Sequence, residues 1–199
     1  MTYLEISALA GDPLMQLERW YTEARQTERE PEAMVLATAG PDGRPSARFV
    51  LLRGLDSRGI VFFTNYTSRK AAEMAANPFA AAVLYWPEVG RQVRLEGPVE
   101  KVSAEESRAY FRTRPRENQL AALVSPQSQV IPDRAFLEER FARAQSAWEG
   151  QEIPCPSFWG GYRLRPDCVE FWQRAPHRLH DRFRYRREGS VWVLERLAP

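Results

Sequence analysis

Twelve consecutive residues, Phe171 to Arg182, hold two aromatic residues, both histidines of the chain, three arginines and one aspartate. Arg178, His180 and Arg182 stand two apart. On a β-strand, where side chains alternate between faces, all three project from one side. Two guanidiniums and an imidazole make a poor core face. They suit a planar, anionic ligand rich in hydrogen-bond acceptors. The plainer reading is a solvated basic strand. No Ser-His-Asp or Cys-His pattern stands out. Arginines, amides and a histidine without an obvious nucleophile favour a cofactor that brings its own reactivity.

Two further clusters suit phosphate. Arg48, Arg53 and Thr64 precede Ser68-Arg69-Lys70, which falls at a predicted helix start. Free N–H groups and positive potential there, with a guanidinium, an ammonium and a hydroxyl, make a phosphate cradle. No Gly-x-x-x-x-Gly-Lys-Ser/Thr occurs, so it is no nucleoside-triphosphate loop. The alternative is a solvated first turn. Tyr110 and Arg114, four apart at a helix end, can share a face, with Arg116 and Asn118 beyond. They could grip a second phosphate, or the arginines could merely neutralise a helix C-terminus. Gln92, Gln127 and Ser128 could read the rim of a heteroaromatic ring, though satisfied structural amides are commoner. Trp172 could cover such a ring, but in a chain with six tryptophans most are core.

The elements that must position these groups follow from punctuation and periodicity. Residues 1–11 are weakly patterned and read as a flexible arm; residues 12–199 read as one domain. Asp12 as N-cap and Pro13 at the first helical position open a helix to about Gln26. Strand signals run over Met34–Thr38, Ser46–Arg53, Ile60–Asn65, Ala80–Trp86 and Gln92–Val102, separated by Gly-, Pro- and Asp-rich turns. Ser68 caps a short helix to about Ala76, stopped by Asn77-Pro78. Ser103 and Glu106 form a capping box for a helix that ends before Pro115. A second amphipathic helix runs from Asp133 to Trp148. Gly161–Leu164, Val169–Trp172, His180–Arg187 and Val191–Leu197 close the chain as strands. Many short strands with peripheral helices predict a mainly β, α+β fold: a closed antiparallel Greek-key barrel.

Composition narrows the partners. The net charge of +2 provides no global field towards nucleic acid or membranes. Only Lys70 and Lys101 are lysines; the other 26 of 28 cationic residues are arginine. No apolar run reaches the roughly 18–20 residues that span a bilayer, and no secretory signal is visible. Cys155 and Cys168 lack redox or metal-site spacing, and two histidines make a histidine-rich metal site improbable. The expectation is a cytoplasmic protein with reduced thiols, no metal, and neither a nucleic-acid nor a membrane partner.

Ten segments in order carry a family likeness: Arg48-Phe-Val-Leu-Leu-Arg53, Phe63-Thr-Asn65, Ser68-Arg-Lys70, Arg91-Gln-Val-Arg94, Tyr110-Phe-x-x-Arg-Pro115, Gln127-Ser128, Phe158-Trp-Gly-Gly161, Glu170-Phe-Trp-Gln173, Arg178-Leu-His-Asp-Arg182 and Arg196-Leu-Ala-Pro199. Over about residues 12–199 the chain resembles the pyridoxine/pyridoxamine 5′-phosphate oxidases. The resemblance implies an FMN-binding split barrel, a homodimer, and FMN where the subunits meet. It implies FMN contacts at Arg48, Phe63, Thr64, Arg69, Lys70, Gln92, Gln127, Ser128, Trp172 and Arg182. It implies substrate contacts at Arg53, Tyr110, Arg114 and Asn118, with Arg178 and His180 both binding substrate and serving catalysis.

The implied reaction oxidises pyridoxine or pyridoxamine 5′-phosphate to pyridoxal 5′-phosphate. A hydride leaves C4′ for the flavin, and O2 reoxidises the flavin to give hydrogen peroxide. Arg182 would stabilise negative charge on the reduced flavin. Imidazoles suit acid or base work near neutral pH. The alternatives are a phenazine-pathway relative acting on larger tricyclic substrates, and a non-catalytic FMN or pyridoxal phosphate binder. The chain departs from the family at Arg53 (usually lysine), Asn118 (usually serine), Leu123 (usually tryptophan) and Arg174-Ala175-Pro176 (usually a Gly-containing loop). Its arm lacks the Arg-x-x-Tyr that can fold over substrate.

Overall fold

The computed structural model describes residues 3–199, in which ten strands and five α-helices are found. The strands are β1 (Ala33–Ala39), β2 (Pro45–Leu51), β3 (Gly54–Asp56), β4 (Gly59–Asn65), β5 (Phe79–Trp86), β6 (Arg91–Lys101), β7 (Trp159–Leu164), β8 (Cys168–Gln173), β9 (Asp181–Glu188) and β10 (Val191–Leu197). The helices are α1 (Pro13–Ala24), α2 (Arg69–Ala76), α3 (Ala104–Thr113), α4 (Arg116–Val124) and α5 (Arg134–Ala147).

All pairings are antiparallel, and the long β6 splits the sheet. Its first half, Arg91–Glu96, pairs with β8, which leads on to β9 and β10. Its second half, Val99–Lys101, pairs with β7, which leads to β4 and β3. On its other side β6 pairs with β5, then β1, then β2. The ring closes where Arg53 N donates to Val61 O at 2.8 Å. The expected barrel is therefore present, split at β6. Its interior is packed with side chains such as Leu36, Phe62, Leu84, Leu95, Phe171 and Phe183, all fully buried. A second, smaller cluster of Phe111, Leu120, Ile153 and Trp159 lies under the helices.

Local chemistry explains the helix starts. The Asp12 carboxylate accepts from Leu14 N (2.7 Å) and Met15 N (3.2 Å), with Pro13 in the first turn. Ser103 Oγ accepts from Glu106 N at 2.9 Å. Helix α4 goes unanticipated, because Pro115 reads as a stop. Pro115 instead serves as its N-cap residue, and a proline there sacrifices no intrahelical bond.

One expectation changes. Arg178, His180 and Arg182 do not share a strand face. β9 begins only at Asp181, and residues 176–178 form a 3₁₀ turn in which His177 and Arg178 have φ of 56° and 60°. Pro176 removes an amide donor, and the loop closes by other bonds: Leu179 N to Pro176 O (3.1 Å) and Ala175 N to His180 Nδ1 (3.1 Å). The segment read as an arm meets the barrel at Leu4 and Ala10, residues 1 and 2 lying outside the described residues. Leu4 is buried, its N–H donates to Asp181 Oδ2 (2.9 Å), and Tyr185 Oη donates to Ala10 O (2.6 Å).

Candidate active site

A cavity of about 620 Å³ opens between β2, β4, the start of α2 and the α3–α4 junction. Eight of the residues named from sequence line it: Arg53, Phe63, Thr64, Lys70, Tyr110, Arg114, Asn118 and Gln127. Members of both candidate phosphate clusters therefore face one space, although Arg53 and Asn118 stand 65 positions apart in the chain.

At one end sits an ammonium. Lys70, in the first turn of α2, is 8% exposed. Its Nζ donates to Thr64 Oγ1 (3.2 Å) and Gln127 Oε1 (3.1 Å), and Thr64 Oγ1 donates to the same amide oxygen at 2.9 Å. Burial lowers the Lys70 pKa below the ordinary lysine range; the nearby Arg48 guanidinium lowers it further, and Glu73 acts against both. Ser128, beside Gln127, adopts a left-handed φ of 70°.

Behind this ammonium lies a carboxylate that sequence reading overlooks. Glu73 Oε2 accepts from Thr38 Oγ1 (2.5 Å), Ser46 Oγ (2.6 Å) and Arg48 Nη2 (3.3 Å), and Oε1 accepts from Arg69 Nε (2.8 Å). Burial alone would push its pKa up. The bonds from Ser46, Thr38, Arg69 and Arg48 outweigh it and bring the pKa down to about 2. The i,i+4 spacing of Arg69 and Glu73 was the available signal.

At the other end Tyr110 and Arg114 meet an aromatic group. Tyr110 stacks on Phe63 at 4.0 Å, and Phe63 stacks on Trp159 at 5.3 Å. The Arg114 guanidinium lies 4.8 Å from the Trp159 ring centroid. Arg114 Nη1 is the one buried side-chain polar atom without a hydrogen-bond partner among the described residues. Arg53 stands 3.8 Å from Glu32. Arg116, by contrast, turns away: it donates to Gln151 O at 2.9 Å and to Trp148 O.

Arg48, Arg69 and Ser128 stand beside the cavity without lining it, and Gln92, Trp172, Arg178, His180 and Arg182 form a separate group on β6, β8, β9 and the loop before β9, none of them lining it. Cross-strand register sets Gln92 opposite Trp172, and Trp172 opposite Arg182. Trp172 leans on His180 with ring centroids 4.6 Å apart. Arg182 Nε donates to Glu170 Oε1 at 2.8 Å, which raises the Arg182 pKa. Arg178 is exposed.

Residues 22–147 match the pyridoxamine 5′-phosphate oxidase family, and residues 159–199 match the pyridoxine 5′-phosphate oxidase C-terminal dimerisation region. This chain belongs to that oxidase family. Family membership makes it an oxidoreductase, and the matched C-terminal region indicates a homodimer. Among its relatives, a pyridoxine/pyridoxamine 5′-phosphate oxidase from Rubrobacter xylanophilus is 55% identical over 94% of this chain and 87% of its own. One from Coxiella burnetii is 53% identical over 96% and 97%. The solved structure of PhzG from Burkholderia lata, in complex with tetrahydrophenazine-1-carboxylic acid, superposes with a TM-score of 0.94 at 34% identity, covering 100% of this chain and 98% of that one. An FMN-binding pyridoxamine 5′-phosphate oxidase-related protein from Nostoc punctiforme shares the split-barrel fold, with a TM-score of 0.76 at 19% identity over 96% of this chain and all of that one.

Proposed function

We propose that this oxidase-family protein is an FMN-dependent oxidase that converts pyridoxine and pyridoxamine 5′-phosphates to pyridoxal 5′-phosphate, with O2 as acceptor and hydrogen peroxide as by-product. The reading is carried by one observation. Arg114 Nη1 is buried, unpartnered and part of a cavity that also holds the Lys70 ammonium. A desolvated guanidinium without an acceptor calls for an anion. Two anion sites in one cavity fit a cofactor phosphate at Lys70 and a substrate phosphate at Arg114.

The donor set suits FMN. Arg48, Arg69, Lys70, Thr64, Gln127 and Ser128 would hold the phosphate and its neighbouring chain, and Phe63 the approach to the ring. Bound FMN supplies the hydride acceptor that O2 reoxidises. The protein's share is binding and orientation. Arg53, Tyr110, Arg114 and Asn118 would fix the substrate phosphate, excluding the freedom that slows a bimolecular step. Gln92, Trp172, Arg178, His180 and Arg182 would come from the second subunit, because they do not line this cavity within one chain. The homodimer then puts FMN at the subunit interface. Phe49, which lines the cavity yet is 75% exposed, marks the face that the second copy would cover. Arg178 and His180 would orient the pyridine and handle the proton of its C4′ substituent. A cytoplasmic setting accords with the two free thiols, Cys155 and Cys168.

The PhzG likeness raises a second substrate class, tricyclic carboxylates. Two cationic ends, at Lys70 and Arg114, favour a phosphorylated substrate beside a phosphorylated cofactor. Purified protein given FMN and pyridoxine 5′-phosphate under air should release aldehyde and peroxide. Peroxide with tetrahydrophenazine-1-carboxylic acid alone would assign the other class, and a yellow protein inert to both would be a binder.

A further inference from the structure

We infer that Trp159 is the positioning residue for Arg114: its indole face holds the guanidinium where the substrate phosphate arrives. The inference rests on the proposed function and deepens it.

Arg114 lies just past the end of α3, its backbone N–H donating to Phe111 O at 3.2 Å. Its Nη1 has no hydrogen-bond partner, and burial lowers its pKa, so it is a cation taken from water. What it has instead is two rings. Its Cζ lies 4.8 Å from the Trp159 centroid and 5.8 Å from that of Phe111. Indole is the strongest cation–π acceptor among side chains, and the attraction grows with desolvation.

Trp159 is itself held firmly. It is 7% exposed, with the fully buried Phe111 edge-on at 5.1 Å and Phe63 nearly parallel at 13°. Backbone pairing of Trp159 with Asn65 across β4 and β7 fixes its register. The two residues after it are closely packed. A Cβ on Gly160 would stand 2.2 Å from Tyr66 Oη, and one on Gly161 would stand 2.7 Å from Val102 and 2.9 Å from Phe63. Through Phe63 the same indole also sets Tyr110, whose ring lies within 8° of parallel to it. One rigid side chain thus orients both groups proposed to grip the phosphate. A leucine there would fill space but would free the guanidinium to swing towards water.

The test uses FMN-loaded wild type, Trp159→Leu, Trp159→Phe, and Arg114→Lys alone and combined with Trp159→Phe. Steady-state kinetics with pyridoxine 5′-phosphate, FMN affinity, and calorimetric binding of pyridoxal 5′-phosphate and pyridoxal are read for each. Trp159→Leu should raise KM roughly three- to thirty-fold, with kcat within about twofold and FMN affinity unchanged. Trp159→Phe should recover most of the loss, and its effect should shrink once Arg114 is lysine. Wild-type KM in Trp159→Leu overturns the inference. So does an equal loss of FMN affinity and KM in both variants, which is merely structural. If Trp159→Leu does not fold, additive effects of Trp159→Phe and Arg114→Lys overturn it. Wild type binding pyridoxal as well as pyridoxal 5′-phosphate would instead remove the underlying phosphate reading, and the inference with it.

Discussion

Lys70 Nζ donates to Gln127 Oε1 across 3.1 Å, joining the first turn of α2 to the loop after α4. The contact closes one end of the cavity and leaves a mostly buried ammonium whose other acceptors are hydroxyls. An ammonium bonded only to neutral groups has charge to spare for an anion.

Lys70→Met should therefore weaken FMN at least tenfold and leave the much weaker binding of riboflavin unaltered, as read by fluorescence quenching; loss of a charged hydrogen bond costs about 1.5–3 kcal/mol. In the wild type, phosphate binding needs the protonated amine. Because burial lowers this pKa, FMN affinity should decline with rising pH before the ordinary lysine range is reached. A flat affinity to pH 10.5 would remove Lys70 from the phosphate site.

Glu73 should matter for stability. Glu73→Ala strips the acceptor from Thr38, Ser46 and Arg48 together and should cost roughly 1–3 kcal/mol in denaturant unfolding. Its carboxyl has an ordinary pKa of 4.5 and a folded value of about 2. The depressed value means that its stabilisation is fully present above pH 4.5 and is lost as pH falls through about 2. The stability gap between wild type and Glu73→Gln should close over that window.

Arg178→Ala should lower turnover by at least tenfold while the protein stays yellow, since Arg178 lies outside the cavity at Lys70. Unchanged kinetics on both vitamers would take Arg178 out of the reaction.

Phe49→Asp should give a monomer by size-exclusion chromatography with light scattering, with FMN lost in parallel. Phe49 faces outward beside Val35 of β1, which pairs in turn with Val83 of β5, so a charge there meets an apolar strip. A dimer that survives the change would put the interface elsewhere.

Much of this architecture is legible from the chain because its strands end at Gly, Pro, Asn and Asp. Gly40-Pro41-Asp42-Gly43 falls between β1 and β2, and Asn77-Pro78 lies just after α2. The proposed phosphate cradle at Ser68-Arg69-Lys70 is readable for a similar reason: an N-cap position, two cations and a helix start are local. Pairings that depend on tertiary packing are not. Trp159 looks like any core tryptophan until Arg114 lies over its ring, and Glu73 like a solvated helix residue until β1 and β2 bring Thr38 and Ser46 to it. The alternation of Arg178, His180 and Arg182 suggests a strand, but Pro176 overrides period two with a turn.

The loop before β9 has a mechanical consequence. His177 and Arg178, neither of them glycine, sit at φ of 56° and 60°, a conformation that disfavours L side chains by about 1–2 kcal/mol each. Folding supplies that tension in advance, so an incoming molecule meets a side chain already cocked rather than one it must recruit from random wandering. Relaxing the coil with His177→Gly should harden the protein against heat and blunt it as a catalyst in the same stroke.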